Sequence, residues 1–322
     1  MNTNPLVSIV CLTYNEEEFV RDTLDNFLSQ DTNFCYEVLV YDDASQDHTP
    51  EILQEYADKY PDVFRLTLYK ENNFQKGLGF LGLREGFREA KGKYIAYCEG
   101  DDYWCDNEKL QKQVDFLDSH PEFEVCAHET RIRNDYNKLE DGILFTHTKV
   151  NIFLDRTTQN RYTFHDTLTG NIFHISSMMF RNDHPIVWPE WICEVKALDM
   201  ILFMMLAERG DIWLMRDVMS VYRHNQKSIT STGSQFSNQL AFNNVSLALV
   251  QRMDKYWQGA HHREISQVIA RYYMNNMFCY LSKSYRDFGK AFQMAKLAHQ
   301  NSVYIFWKFL MIESIIKLRK YL

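Results

Sequence analysis

Residues 92–104 read GKYIAYCEGDDYW, and this stretch indicates both a fold class and a candidate site. The apolar run at 94–98 predicts a buried strand. It ends directly in the acidic motif Glu99, Gly100, Asp101 and Asp102. Three carboxylates at one strand end repel one another unless solvent or a cation screens them, and Mg²⁺ and Mn²⁺ both prefer oxygen ligands. The motif therefore predicts a metal site, and the competing interpretation is a solvated acidic turn.

The chain before this strand alternates between strand-like and helix-like patterns. Short apolar runs predict strands at residues 6–13, 36–41 and 64–69. Amphipathic spacing or end signals predict helices at residues 16–30, 49–60 and 81–91, with Thr49 as an N-cap and Gly92 as a C-cap. This alternation is typical of an α/β fold with a parallel sheet.

Polar residues follow the first two predicted strands just as they follow the fourth. Thr13, Tyr14 and Asn15 come after the first strand, and Asp42 and Asp43 come after the second. Parallel α/β sheets bind ligands beyond the carboxyl ends of their strands, so we expect these residues and the acidic motif to face one crevice. An acidic pair also commonly begins a loop, so the two aspartates are informative only together with their neighbours.

The pattern changes in the rest of the chain. Residues 131–159 are polar and irregular, which predicts a mobile connection. Beyond it the sequence predicts two strands and the helix between them, at residues 173–180, 212–223 and 196–208. From residue 236 the pattern is helical to the end. We therefore expect an α/β catalytic domain over residues 1–230 and a helical C-terminal extension over residues 231–322.

The composition is that of an ordinary globular protein, and it excludes some classes of partner. The 322 residues are 45% hydrophobic and 24% charged, with a formal net charge of −8. That charge argues against a surface that binds nucleic acid, because neutralising phosphates needs basic residues. The seven cysteines contain no C-x-x-C, so neither a disulfide framework nor a zinc site is indicated, and a reducing compartment is expected.

The two ends of the chain bear on localisation. The N-terminus lacks a basic start and a cleavable apolar core, and no run of about 18 apolar residues occurs, so we expect a cytoplasmic protein without a membrane span. Residues 301–322 combine aromatic and aliphatic side chains with several lysines and an arginine. This segment is either a helix that lies in the membrane interface, at the inner face of the cell membrane, or a helix that packs on the protein or on a second subunit.

Four segments, taken in order, resemble the family 2 nucleotide-sugar glycosyltransferases, which have the Rossmann-like GT-A fold. They are PLVSIVCLTYNEEEFVRDTLDNFLSQ (5–30), YEVLVYDDASQDHTPEIL (36–53), GKYIAYCEGDDYWCDNEKLQKQVDFL (92–117) and ALDMILFMMLAERGDIWLMRDVMSVYRHN (197–225). The resemblance implies that the protein moves a sugar from a nucleoside diphosphate, expected to be UDP, to a glycan or lipid-linked acceptor. Assembly of a surface polysaccharide is the implied role.

The resemblance also implies how the donor is held. The residues expected to contact the nucleobase and ribose are Thr13, Tyr14, Asp42 and Asp43, with Asn15 beside them. The residues expected to bind Mn²⁺ or Mg²⁺ and the diphosphate are Asp101 and Asp102, with Glu99 where the family often has another aspartate.

Asp199 falls where the family commonly has its catalytic base, and Leu198 replaces the glutamate that usually precedes it. In this interpretation a metal stabilises the leaving diphosphate while one carboxylate removes a proton from the acceptor hydroxyl. One base and one displacement imply inversion at the anomeric carbon. The alternative for Asp199 is a carboxylate that only interacts with the dipole at a helix N-terminus.

Further candidates come from two other motifs. Tyr222, Arg223 and His224 resemble the family's usual ending after the last strand, so Arg223 and His224 would contact the diphosphate or metal; Arg223 would otherwise pair with an acidic neighbour. In GNIFHISSMMF, His174 and the two serines after it are expected to border the acceptor pocket, although a lone histidine in such a run is more often structural.

Three rival interpretations differ in kind. GLGFLG at residues 77–82 matches a dinucleotide-binding fingerprint, but it does not directly follow the first strand as that fingerprint must. A sugar-phosphate nucleotidyltransferase would have a glycine-rich loop after its first strand, where this chain has Thr13, Tyr14 and Asn15. A non-catalytic nucleotide- or glycan-binding protein on the same fold is the remaining alternative.

Overall fold

The computed structural model describes residues 4–78, 80–134, 159–170, 172–195, 198–224, 239–282 and 285–319. The chain divides into two compact units. The first comprises residues 1–167 and 171–225, and the second comprises residues 168–170 and 226–322.

A mixed sheet of nine strands among the described residues forms the centre of the first unit. Its strands are β1 (Val7–Thr13), β2 (Tyr36–Asp42), β3 (Phe64–Leu68), β4 (Tyr94–Glu99), β5 (Tyr103–Trp104), β6 (Phe123–Asn134), β7 (Arg161–Tyr162), β8 (Met179–Arg181) and β9 (Asp211–His224). The order is β3-β2-β1-β4-β8-β6-β9-β5, and β7 pairs with β9. The strands β1 to β4 are parallel, whereas β8 runs antiparallel to both of its neighbours. The predicted α/β class is therefore confirmed.

The first unit contains six α-helices among the described residues. They are α1 (Val20–Leu28), α2 (Thr49–Lys59), α3 (Leu81–Glu89), α4 (Lys109–Ser119), α5 (Phe164–Thr167) and α6 (Leu198–Ala207). Of these, α1, α2, α3 and α6 were predicted from the sequence, and α4 and α5 were not. Short 3₁₀ turns cover Ile175–Ser177 and Glu190–Glu194. The second unit contains α7 (Gln239–Tyr256), α8 (His262–Leu281), α9 (Phe288–Asn301) and α10 (Val303–Arg319).

Helices cover both faces of the strand β1. Its alternate residues Val7, Ile9 and Cys11 belong to a core cluster shared with α1, α2 and α4. On the other face, α3 approaches so closely that a β-carbon at Gly82 would lie 2.7 Å from the Cβ of Tyr41. Gly82, the last glycine of GLGFLG, thus permits helix–sheet packing, because only a glycine leaves room for that approach.

Two predicted helix ends are wrong. His48 precedes α2 without a side-chain cap, and the hydroxyl of Thr49, inside the first turn, instead accepts a hydrogen bond from the backbone of Glu16 at 2.8 Å. The helix α3 ends at Glu89, and Ala90 rather than Gly92 is its C-cap. A β-carbon at Gly92 would lie 2.5 Å from the backbone nitrogen of Ser8, so this glycine permits close approach to β1.

The structure also corrects the second half of the sheet. Residues 131–134, predicted as part of an irregular connection, are the end of β6, which pairs in parallel with β9. The rest of that connection, residues 135–158, lies outside the described residues. The predicted strand at 173–180 is largely a 3₁₀ turn, and only Met179–Arg181 forms a strand. Lys196 and Ala197, at the predicted start of α6, are not described either.

The described part of the second unit consists mainly of helices, in agreement with the helical pattern predicted from residue 236 onward. The helices α8, α9 and α10 share an apolar cluster around Met274, Met277, Ala291 and Ala298. Among the residues that the structure describes, no helix is long and apolar enough to cross a membrane.

Candidate active site

The carboxyl ends of β1, β2 and β4 lie side by side because their registers match. Thr13 pairs with Asp42, and Leu12 pairs with Glu99. The backbone N–H of Gly100 donates to the carbonyl of Leu12 at 2.9 Å, which holds the acidic motif against the end of β1. The polar groups after these three strands therefore occupy one edge of the sheet, as the sequence predicted.

Asp42 is almost completely buried and bound to its surroundings through both oxygens. Its Oδ1 accepts hydrogen bonds from the hydroxyls of Thr13 (3.0 Å) and Ser45 (2.5 Å), and its Oδ2 accepts one from the N–H of Ser45 (2.9 Å). Burial raises the pKa of this carboxyl, and the hydrogen bonds from Ser45 and Thr13 oppose that rise.

The loops after β1 and β2 are joined by reciprocal hydrogen bonds. The N–H of Asn15 donates to the Ser45 hydroxyl at 2.8 Å, and the N–H of Gln46 donates to Oδ1 of Asn15 at 2.7 Å. Asn15 and Ala44 both have left-handed backbone conformations, with φ of 56° and 61°. Such conformations cost energy in residues other than glycine, and they recur at functional sites. The two loops therefore form one rigid rim.

Asp43 anchors a third loop to this rim. Its Oδ1 accepts from the backbone and side-chain N–H groups of Asn73, at 2.8 and 2.9 Å, and its Oδ2 accepts from the N–H of Phe74 at 3.0 Å. A carboxylate has about four acceptor positions, so these bonds leave little capacity for a ligand. Tyr14, by contrast, is 39% exposed at the end of β1.

Asp102 is fully buried, and only one of its oxygens has a hydrogen bond of ordinary geometry. Its Oδ1 accepts from the N–H of Arg223 at 3.0 Å. Its Oδ2 lies 3.4 Å from Nδ1 of His174. Burial raises the pKa of this carboxyl well above its usual range, Asp101 and Glu99 raise it further, and the Arg223 N–H and Ser176 hydroxyl oppose the rise.

The negative charge around Asp102 is larger than the sequence motif alone suggests. Burial and the neighbouring charges of Asp101 and Asp199 raise the pKa of Glu99. Burial, then Asp101, Glu99 and Asp102, raise the pKa of Glu16 well above its usual range. The structure thus brings Asp199 into electrostatic range of the acidic motif and adds Glu16, which the sequence analysis did not single out. Clustered buried carboxylates need protons or a cation to be stable.

Arg223 is held entirely by protein groups. Its guanidinium is 3% exposed and donates to the Asp22 carboxylate (2.5 Å) and to the carbonyl of Asp101 (3.1 Å). It also lies over the rings of Tyr103, at 4.4 Å, and Phe19, at 5.2 Å. Arg223 therefore pairs with an acidic neighbour, Asp22, which was the predicted alternative to contact with the diphosphate or metal. His224 follows it at the end of β9, 6.2 Å ring to ring from Tyr222.

The residues around Asp102 fit a divalent ion. Glu99, Asp102 and His174 each offer one ligand atom, and these atoms lie within 4.8 Å of one another. Two carboxylates and an imidazole form a donor set that suits Mn²⁺, and the carboxylates also suit Mg²⁺. The orphaned Oδ2 of Asp102 supports the fit, because a buried carboxylate oxygen normally has a partner. Asp101 belongs to the same sequence motif as Glu99 and Asp102, but it is not one of these three ligand residues.

Sequence reasoning missed Glu16 and undervalued His174. Glu16 is the first of three consecutive glutamates, and nothing in that run indicates which one points inward. His174 was expected near the acceptor, and the structure places it against Asp102. A histidine between apolar residues carries no local signal for its partner.

Comparisons with known proteins agree with these features. Residues 8–183 match the family model described as Glycosyl transferase family 2. An uncharacterised protein of Mycobacterium tuberculosis is 36% identical over 227 residues, which are 69% of this chain and 60% of that protein. This chain thus spans about 60% of the length of that relative. The Escherichia coli protein named UDP-Glc:α-D-GlcNAc-diphosphoundecaprenol β-1,3-glucosyltransferase WfaP is 34% identical over 119 residues, 37% of this chain and 43% of that protein.

Solved structures share the fold at low sequence identity. Residues 1–349 of S. aureus TarS, in complex with UDP-GlcNAc, give a TM-score of 0.62 at 17% identity and cover 93% of this chain and 82% of that one. The mannosyltransferase PcManGT of Pyrobaculum calidifontis, in complex with GDP-Man and Mn²⁺, gives 0.57 at 19%, with coverage of 98% and 81%. At this identity the likeness concerns the fold, and it confirms the predicted GT-A architecture.

Proposed function

The chain belongs to glycosyltransferase family 2, and on that premise we propose that it transfers a sugar from a UDP-sugar to a glycan or lipid-linked acceptor, with inversion at the anomeric carbon. The observation that carries the proposal is the meeting of Glu16, Glu99 and Asp102 at the edge of the sheet where β1 and β2 present their polar loops. An acidic cluster with Asp102 fully buried and Glu16 and Glu99 partly buried, beside a rigid polar rim, suits a diphosphate bound through a cation.

The rim would hold the nucleoside. Tyr14 is exposed at the end of β1 and offers a ring for stacking on the base. The hydrogen bond from Thr13 to Asp42 and those of Asn15 with the loop after β2 keep the two loops in place, which supports a pocket that exists before the ligand arrives. Asp43 has one acceptor position left on Oδ2, which is the position we assign to a polar edge of the base.

The acidic cluster would hold Mn²⁺ or Mg²⁺ through Asp102 and Glu99, and Asp101 would add negative charge beside them. When bound there, the ion would supply positive charge to the leaving diphosphate. Arg223 would act differently from a direct phosphate ligand. Because its N–H binds Oδ1 of Asp102 and its guanidinium binds the carbonyl of Asp101, it would keep both aspartates in position.

Asp199 would be the catalytic base. It lies in the first turn of α6, and its charge acts on Glu99, so it is close to the proposed metal site. Its carboxylate would take the proton of the acceptor hydroxyl as the hydroxyl oxygen bonds to the anomeric carbon. The bond between that carbon and the diphosphate oxygen breaks on the opposite face, which inverts the configuration.

We assign catalysis to the domain over residues 1–230 and an accessory role to residues 231–322. A protein acting on a lipid-linked acceptor would work at the inner face of the cell membrane, either through contact of the C-terminal helices with lipid or through a second copy of the chain. The name of the E. coli relative, which specifies a diphosphoundecaprenol substrate, supports an acceptor of that chemical class.

The test is calorimetry of UDP binding with and without Mn²⁺, on the wild type and on Asp102→Asn. We expect tight binding that needs the metal in the wild type, and binding that no longer responds to the metal in the variant, because Asp102 would be a protein ligand of the ion. Asp217→Asn, at an exposed position of β9, is the matched control and should behave like the wild type.

Release of UDP from a panel of UDP-sugars, measured with the same preparations, tests the transfer chemistry. Equal UDP affinity with and without metal in the wild type would overturn the metal assignment. Metal-dependent binding without any donor turnover, with and without glycan or lipid-linked acceptors, would instead favour a non-catalytic binding protein.

A further inference from the structure

His174 faces the proposed metal site, although it lies far from the acidic motif in the sequence. It lies immediately before the 3₁₀ turn Ile175–Ser177, and β8 follows that turn. Its side chain is 9% exposed, and its Nδ1 lies 3.4 Å from Oδ2 of Asp102, whose side chain is fully buried. With Glu99, the two residues present three ligand atoms within 4.8 Å of one another.

The local hydrogen bonds show which side of the imidazole faces Asp102. The backbone N–H of Ser176 donates to Nδ1 at 3.4 Å, and the Ser176 hydroxyl lies 2.7 Å from the same atom. In the tautomer that accepts from this N–H, Nδ1 carries its single lone pair; the contact is long, so a cation between Nδ1 and the orphaned Oδ2 of Asp102 would take its place. Two electron-rich atoms in a buried site are stable together only with a cation or a shared proton between them.

The imidazole ring is fixed by its surroundings rather than free to adjust. Tyr222 stacks on it with the ring centroids 4.4 Å apart. The indole N–H of Trp104 donates to the carbonyl of Ser176 at 3.0 Å, and the amide of Gln113 donates to the carbonyl of Ser177 at 2.9 Å. Hydrogen bonds from β5 and α4 thus hold the turn that carries His174, as expected for a metal ligand whose position is fixed before the ion binds.

We propose that His174 is the nitrogen ligand of the divalent ion held by Asp102 and Glu99, and that it makes the site select Mn²⁺ over Mg²⁺. The inference rests on the proposed metal-dependent transferase. Mn²⁺, the first ion of the transition-series affinity order, accepts an imidazole nitrogen more readily than Mg²⁺, which prefers sites made of oxygen. With oxygen ligands alone, a cation-binding turn would not discriminate strongly between the two ions.

The test is a direct measurement of metal binding in the presence of UDP. Free Mn²⁺ is followed by electron paramagnetic resonance, and Mg²⁺ is titrated as a competitor, for the wild type and for His174→Asn. We expect the preference for Mn²⁺ over Mg²⁺ to fall by roughly tenfold or more in the variant, because an oxygen donor would replace the nitrogen. His128→Asn, which removes another fully buried histidine, is the matched control and should leave the preference unchanged.

A second measurement does not depend on the folding of the His174 variant. Pulsed paramagnetic resonance of the wild-type Mn²⁺–UDP complex should detect a directly bonded ¹⁴N nucleus, and His224→Asn should retain that signal. Absence of the ¹⁴N coupling, its loss in His224→Asn, or an unchanged ion preference in a folded His174→Asn would overturn the inference. A wild type that binds no Mn²⁺ with UDP would instead contradict the proposed function itself.

Discussion

The carboxylate of Glu16 lies against Gly100, in the space that a side chain at that position would need. A β-carbon at Gly100 would fall 2.1 Å from Oε2 of Glu16 and 2.6 Å from Cγ2 of Thr13. A side chain in place of this glycine would therefore have to displace one of two side chains at the end of β1. Because Gly100 has no side chain, the carboxylate of Glu16 can reach the end of β4 and join the three carboxylates of the acidic motif.

Gly100→Ala should displace either Glu16 or Thr13, because both contacts are shorter than packed atoms tolerate. We expect a loss of about 1–3 kcal/mol in the free energy of unfolding and a weaker Mn²⁺-dependent affinity for UDP. Chemical denaturation and calorimetry measure the two effects. Gly289→Ala in α9 is the control: its β-carbon would meet nothing nearer than 3.6 Å, so its stability should not fall. Equal behaviour of the two variants would contradict the packing argument.

Asp199→Asn should lower turnover by roughly 10²-fold or more and leave the affinity for the donor nearly unchanged, because an amide cannot accept the proton of the acceptor hydroxyl. Steady-state kinetics with a donor and acceptor pair, together with donor binding, separates the two effects. The exposed Asp217→Asn variant is the control for the same chemical change. Ordinary turnover in Asp199→Asn would move the base elsewhere, and Glu194 and Glu190 are the next candidates.

Lys109 makes the stability of the protein depend on pH. It is fully buried at the start of α4, its Nζ donates to Gln113 at 2.8 Å, and burial lowers its pKa to about 7. Between pH 7 and the ordinary lysine pKa, the unfolded chain binds the proton and the folded chain does not. The free energy of unfolding should therefore rise in this window by up to about 1.4 kcal/mol per pH unit from this group. Below pH 7 both states are protonated, so its contribution is constant.

Denaturation of the wild type and Lys109→Met at pH 6, 7.5 and 9 measures this dependence. The variant should lack the rise, so the stability difference between the two proteins should shift toward the wild type as the pH increases. Lys112→Met is the control, because its pKa is raised and it stays charged across the range. Parallel pH profiles for wild type and Lys109→Met would show that Lys109 is not a buried, titrating group.

Residues 303–311 of α10, the part whose side chains the structure describes, divide into a packed side and an exposed side. Ile305 is 1% exposed, and Phe306 and Phe309 pack against the apolar cluster of the second unit. Tyr304 and Trp307, by contrast, are 65% and 55% exposed. Removing the whole segment 301–322 would therefore disturb the core, and substitutions on the exposed side test a membrane contact more selectively.

If the exposed side lies in a membrane interface, the double variant Tyr304→Ser, Trp307→Ser should keep its thermal stability but no longer sediment with anionic liposomes at low salt. High salt should weaken binding of the wild type, because lipid attraction through lysines is screened. Ile305→Ser is the matched control and should lose stability, since it places a hydroxyl in the core. A wild type that ignores anionic liposomes, combined with a changed oligomeric state of the double variant, would assign this side to contact between subunits.

Local sequence patterns were sufficient to predict the strands that position the site. The strands β1 to β4 follow from short apolar runs, and the strand-end rule for parallel sheets then brings Thr13, Asp42 and Glu99 together. The part of the sheet beyond β4 was harder to predict from the sequence. For example, β6 continues through residues 131–134, whose polar sequence gives no indication of a strand. That strand exists because β9 lies beside it, and pairing with a distant segment outweighs local propensity.

The sequence by itself determined the α/β class, the family and the strand ends at which a donor would bind, because these depend on short periodic patterns and contiguous motifs. Only the tertiary structure decided that Glu16 reaches Gly100, that His174 faces Asp102 and that Arg223 binds Asp22. Each of these contacts joins residues far apart in the chain. Their geometry depends on strand register, on the left-handed turn at Asn15 and on how closely two elements pack, and no local pattern encodes such relationships.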